Sequence, residues 1–192
     1  MAQTLILKLN EVYNSWGKIL RWLVKHGIPA YNETINPAKR GNAMAVRNSA
    51  KGIVLDGEKI LLNKCRSRLG AYYALPGGGQ HTGETLPEAL TRELREETGI
   101  SVKPVRMAGV YEQITAGRDS GSDHKMYFIF LCEETHDKRV RPTERDAYQV
   151  DSEWMTVDEA EKCRLFPRAV RDNLRRMIES EHTLYLGSER KK

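Results

Sequence analysis

Cysteine is scarce in this sequence. Cys65, Cys132 and Cys163 are the three in 192 residues; their odd number, wide separation and lack of C-x-x-C spacing argue against a disulfide framework and a structural zinc site. A reducing, cytoplasmic setting is predicted. Long hydrophobic runs are also missing: Leu5-Ile6-Leu7 begins one, but Lys8, Asn10 and Glu11 interrupt it. No stretch approaches the ~20 apolar residues of a membrane span, so neither a signal peptide nor a membrane-integral chain is expected. The five histidines are scattered without H-E-x-x-H spacing, which speaks against zinc hydrolysis. Lys138-Arg139, Arg175-Arg176 and Arg190-Lys191-Lys192 are short and mixed with acids, so no basic stripe marks a nucleic-acid partner.

What is present fits one globular domain with an added segment: 40% hydrophobic and 30% charged residues, with no repeat and no low-complexity tract. Lys plus Arg number 31 against 26 Asp plus Glu, a formal charge of +5, and the pI is near 9.1, which mildly favours anionic ligands. We expect an N-terminal helical extension over residues 1–40, a catalytic domain over 41–182 and a C-terminal tail over 183–192, whose last residues, Ser188 to Lys192, should fray. In the extension Leu5, Leu9, Val12, Trp16, Ile19, Leu20 and Leu23 recur at spacings of three and four, an apolar stripe for packing on the domain or on a second copy. A homodimer is therefore left open.

From Ala43 the pattern turns to short strands. Ala43 to Leu55, an Asp56-Gly57 turn and Lys59 to Lys64 predict a hairpin. Tyr72 to Leu75 leads into Gly77-Gly78-Gly79; a helix from Thr85 to Thr98 and strands near Val102 to Ile114 and Lys125 to Glu133 follow. Both alternating sets of Met126 to Cys132 are apolar or aromatic, so that strand should be covered on both faces and the sheet should lie between helical layers. Glu134 to Val150 reads as loop, Ser152 to Met155 as a last strand, and Asp158 to Cys163 with Arg168 to Ser180 as helices split at Pro167.

The central helix carries its own limits: Thr85 with Glu88 makes a capping box, Pro87 suits the first turn and Gly99 the position past the end. At 100° per residue, Leu86, Leu90 and Leu94 share an arc with Glu93 and Glu97, and Glu96 flanks it. Carboxylates beside a packing face need a countercharge. Arg92, four residues before Glu96, accounts for one of them, leaving Glu93 and Glu97 without a local partner. Three converging acids suit a hard cation such as magnesium, and the glycine turn just upstream lets backbone approach a ligand.

Gly78, five residues, Glu84, seven residues, then Arg92-Glu93-Leu94-Arg95-Glu96-Glu97-Thr98-Gly99-Ile100 resembles the complete box of the Nudix hydrolases. The resemblance extends from about Arg47 to Phe166. It implies an α/β/α sandwich with a mixed sheet, and magnesium-dependent (or manganese-dependent) water attack on a phosphoanhydride of a nucleoside diphosphate linked to another group. Carried over, Glu93 and Glu97 are metal ligands and Glu96 is a further ligand or the base. Arg92 orients a neighbouring Glu, Gly77 offers its carbonyl and Glu84 assists from behind.

Glu133, at the end of its strand, resembles a further metal-binding acid of the MutT-like branch, with Glu112, Glu134 and Glu144 as rivals. Tyr72 and Tyr73 are candidates to stack a base, and Arg66 and Arg68 to meet phosphates. The stretch Ile114-Thr115-Ala116-Gly117 lacks the proline of the ADP-ribose branch, and Arg118-Asp119-Ser120 lacks the tyrosine of the dinucleoside polyphosphate branch. Both absences favour nucleoside tri- or diphosphates. ADP-ribose, RNA 5′ ends and a non-catalytic sensing or protein-binding module are the alternatives.

Overall fold

The computed structural model describes residues 46–115, 123–135, 137, 139–143 and 148–191. The expected N-terminal helix lies outside the described residues. None of the described helices is long and apolar enough to cross a membrane.

Strand β1 (Val46–Asp56) turns at Gly57 into β2 (Lys59–Ser67), followed by β3 (Gly70–Ala74) and helix α1 (Leu86–Thr98). Then come β4 (Val102–Thr115), β5 (Asp123–Glu134), β6 (Gln149–Thr156), α2 (Val157–Lys162), β7 (Leu165–Phe166), α3 (Arg168–Asp172), α4 (Leu174–Glu179) and β8 (Leu184–Lys191). The sheet runs β7-β3-β2-β1-β5-β4-β8, with β6 on the other edge of β2. It is mixed: β1 and β5 are parallel, β4 and β5 antiparallel.

β1 stays with β2 for two residue pairs only, Leu55 with Ile60 and Asp56 with Lys59, after which β3 takes that edge of β2 from Asn63 onward. The edge of β1 thus released is bound by the glycine loop. Gly52 N–H donates to Pro76 O and Ala50 N–H to Gly78 O, both at 2.9 Å, and Gln80 N–H donates to Asn48 O at 3.1 Å. This splay between strands makes room for the site.

Alternation along the strands divides the core. Ala50, Val54, Leu61, Phe130 and Cys132 pack against Ala89, Leu90 and Leu94 of α1. Ile53, Ile60, Leu62 and Ile129 face the other way, onto Val170, Leu174 and Met177 of α3 and α4. The two-sided burial expected of β5 is met, and the α/β/α arrangement follows.

Three features differ from expectation. Arg168 to Ser180 is two short helices meeting at Asn173 rather than one. Ser152 to Met155 belongs to a longer strand, β6, which is not the last. The C-terminal residues do not fray: Leu184 to Lys191 pairs in parallel with β4, because Leu184 and Leu186 reach the core and the backbone completes an otherwise open edge.

Candidate active site

Helix α1 begins and ends where its local chemistry requires. The Thr85 hydroxyl accepts from Glu88 N–H while the Glu88 carboxylate accepts from Thr85 N–H, and Gly99 closes the helix in the left-handed region at φ 74°. These limits fix the rotation of the helix, and so which acids meet the glycine loop. Gly77 sits at φ +115°, and a Cβ there would run into the Ala50 carbonyl. A Cβ on Gly78 would overlap the Glu93 carboxylate, which lies against that residue. Backbone crowding and a positive φ thus require glycine at 77, whereas at 78 a Cβ would displace the Glu93 carboxylate.

One cavity of about 520 Å³ opens where β1, the glycine loop and α1 meet. Glu93, Glu96, Glu97 and Gly77 line one side; Arg47, Lys51, Lys125 and Tyr127 line it from β1 and β5. The cavity therefore sets an oxygen-rich wall beside a cationic one.

The acids are held in two different ways. Arg92 joins three of them: its Nε donates to Glu84 Oε1 at 2.7 Å, and one terminal nitrogen donates to Glu93 Oε1 at 2.9 Å and Glu96 Oε2 at 3.0 Å. Its other terminal nitrogen reaches Glu84 Oε2 at 3.1 Å and Gly79 O at 3.0 Å. Glu93, expected to lack a local partner, therefore has one, because a planar guanidinium with five donors serves several acceptors at once. The Arg92 hydrogen bonds and the His81 N–H hold the Glu84 carboxyl down at about 2, and the same three acids raise Arg92 further above its ordinary value.

Glu97 is separate and only 6% exposed. Its Oε2 accepts from Gly77 N–H at 2.7 Å and Asn63 Nδ2 at 2.9 Å. Burial pushes its carboxyl above the ordinary range, opposed by the charge of Lys51 and by these two hydrogen bonds. The Lys51 ammonium bonds the Gly77 carbonyl, so positive charge already stands at that oxygen.

The other sequence candidates do not reach this cavity. Tyr72 packs edge-on against Phe166, with ring centroids 6.4 Å apart, and the Tyr73 hydroxyl donates to Glu153 Oε2 at 3.0 Å. Arg66 and Arg68 are exposed near the β2–β3 turn. Glu133 is exposed at the far end of β5: the register pairs Val54 with Cys132 there, whereas the cavity lies at Ser49 and Tyr127. Among its rivals, Glu112 bonds His124 Nε2 at 2.6 Å and Glu134 pairs with Arg139 at 3.2 Å; Glu144 lies outside the described residues. Lys51, Asn63, Lys125 and Tyr127 were missed, although a lysine amid the apolar β1 and an asparagine after Leu61-Leu62 were visible signals.

Residues 46–178 match the family model for the NUDIX domain. The chain belongs to the Nudix family. It is 44% identical over 83 residues to an ADP-ribose pyrophosphatase of Methanocaldococcus jannaschii, a match covering 43% of this chain and 47% of that one. With an 8-oxo-dGDP phosphatase of Danio rerio it shares 30% identity over 97 residues, 50% of this chain and 27% of the relative. The chain thus spans half or less of the length of these two curated relatives. A crystal structure of a NUDIX hydrolase from Nitrosomonas europaea superposes with a TM-score of 0.59 at 19% identity, covering 81% of this chain and 85% of that one, a likeness of fold.

Proposed function

We propose that this Nudix protein hydrolyses a phosphoanhydride bond in a nucleoside diphosphate derivative, with magnesium or manganese as its cation. The observation that carries the reading is the single cavity in which Glu93, Glu96, Glu97 and the Gly77 carbonyl stand beside Arg47, Lys51 and Lys125. Among the described residues no three acidic, histidine or cysteine side chains converge on one point as they stand. The donor set nevertheless suits a hard cation: its members are oxygens, and the Gly77 carbonyl already accepts from the Lys51 ammonium. Glu93, Glu97 and Gly77 would hold it, with Glu96 as a further ligand.

A bound divalent cation supplies Lewis acidity at the phosphoryl oxygens and eases deprotonation of water. The chain's own side chains do the rest. Arg47, Lys51 and Lys125 receive the phosphate charge, and Glu96, the most exposed of the three cavity acids, takes the proton of the attacking water when it is not a ligand. Arg92, anchored by Glu84, bridges Glu93 and Glu96 through one nitrogen and so fixes where the two carboxylates stand. Water attacks one phosphorus, the bridging P–O bond breaks, and the bridging oxygen leaves on the other phosphate.

Two substrate readings have support. The missing proline after the box and the 8-oxo-dGDP phosphatase relative favour nucleoside tri- or diphosphates; the archaeal relative favours ADP-ribose. Product release from nucleoside tri- and diphosphates, ADP-ribose and 5′-triphosphate RNA, with magnesium and manganese, tests both readings and the RNA alternative. Glu93→Gln and Glu97→Gln should each lose on the order of 10²–10³ in kcat. Activity near wild type in both would overturn the assignment.

A further inference from the structure

We infer that Asn63, with its amide oriented by Ser152 and Gln149, is a positioning residue that holds the Glu97 carboxylate for a cation. This rests on the proposed role of Glu97 as a ligand. Asn63 and Gln149 are buried polar residues on neighbouring strands β2 and β6. Polar side chains are costly to bury unless they are bonded, and the bonds of these two run to one place.

Asn63 Oδ1 accepts from Ser152 Oγ at 2.9 Å and from Gln149 Nε2 at 3.2 Å. With its oxygen claimed by two donors, the amide must turn its Nδ2 toward Glu97, where it donates to Oε2 at 2.9 Å. Gln149 Nε2 also reaches the Glu97 backbone carbonyl at 3.2 Å and Ser152 Oγ at 3.1 Å. Both the carboxylate and the backbone of the last turn of α1 are thereby tied to the sheet.

Together with Gly77 N–H, Asn63 fixes one carboxylate oxygen, Oε2, and leaves Oε1 outside this pair of bonds. A glutamate on the last turn of a helix otherwise samples several rotamers, and ordering it would weaken any ligand that needed it. The network removes that freedom before a cation arrives, as partners behind metal ligands commonly do. None of these bonds runs to Arg92 or to the acids that Arg92 holds. Of the three cavity acids, these bonds reach Glu97.

The test is Mn²⁺ binding to the full chain, read from the electron paramagnetic resonance of the free ion, for wild type, Glu97→Gln, Asn63→Leu, Ser152→Ala and a packing control, Leu62→Val. Asn63→Leu should raise the Mn²⁺ Kd about tenfold or more, and Ser152→Ala, which loosens only the orientation of the amide, roughly two- to threefold. The metal concentration for half-maximal activity should rise with them, while KM for substrate at saturating metal stays put. Leu62→Val should lower Tm and leave Mn²⁺ binding unchanged.

If Glu97→Gln loses Mn²⁺ affinity while Asn63→Leu binds as wild type, the inference is overturned. If Glu97→Gln itself binds as wild type, the ligand role on which it rests is the part that fails. Should Asn63→Leu not fold, Ser152→Ala decides: unchanged Mn²⁺ affinity overturns the inference.

Discussion

The segment from Leu75 to Gly99 and the hairpin β2–β3 before it both carry clustered polar side chains of the kinds that serve a site, yet they end differently. In the first, Glu93, Glu96, Glu97 and Gly77 come to one cavity; in the second, Tyr72, Tyr73, Arg66 and Arg68 disperse. Periodicity explains the contrast. Residues four apart on a helix lie one above the other, so Glu93 and Glu97 share a side. Neighbours on a strand point to opposite faces, so Tyr72 goes to Phe166 and Tyr73 to Glu153. Adjacent functional residue types argue for one site on a helix or tight loop, and against it on a strand.

The sharpest way to break this contrast is within the glycine loop. Gly77→Ala sets a Cβ against the Ala50 carbonyl at φ +115°, where backbone must move. It should cost about 1–3 kcal/mol or more in thermal or urea unfolding, and activity with it. Gly78→Ala meets only the flexible end of Glu93. Its stability should stay within about 0.5 kcal/mol of wild type while kcat/KM falls roughly tenfold from the displaced carboxylate. Equal losses of stability in the two variants would show that the loop, not the carboxylate, is what Gly78 serves.

The pH dependence of stability sharpens the same contrast from the box side. Glu84, held at about 2, stays ionised in the folded protein where an unfolded glutamate, near 4.5, has taken up a proton. Its stabilisation is complete above about 4.5 and is lost as pH falls through about 2. Urea melts across that window should show wild type losing stability relative to Glu84→Gln; parallel curves would show that the Arg92 contact contributes nothing. The smallest effect is expected in the hairpin: Arg66→Ala, Arg68→Ala and Tyr72→Phe should keep kcat/KM within about twofold, the usual range for side chains remote from a site. A tenfold loss in any of them would bring the hairpin into the site.

Much of this was legible in residue order because it is local. The capping box at Thr85 and Glu88, the stop at Gly99 and the glycine turn each act within a few residues of themselves, and the structure keeps them. Glu133 failed to reach the cavity for the opposite reason. A strand has two ends, and only the parallel register of β5 on β1 shows that the site lies at Tyr127 rather than beyond Cys132. The sequence reads residues 183–192 as a tail; alternation of Leu184 and Leu186 is the quieter signal of strand β8, and its pairing with β4 joins segments far apart in the chain.

By itself the sequence determined the box helix, its limits, its line of acids, and a two-faced sheet to pack it on, since helical spacing and strand alternation are properties of neighbouring residues. Tertiary structure alone decided that Arg92 binds three carboxylates, that Lys51 and Lys125 line one cavity with Glu97, and that Asn63 grips Glu97 from 34 residues away. Those depend on where β1 parts from β2 and lets the glycine loop in. Such a splay is set by packing among distant segments, and no local pattern encodes it.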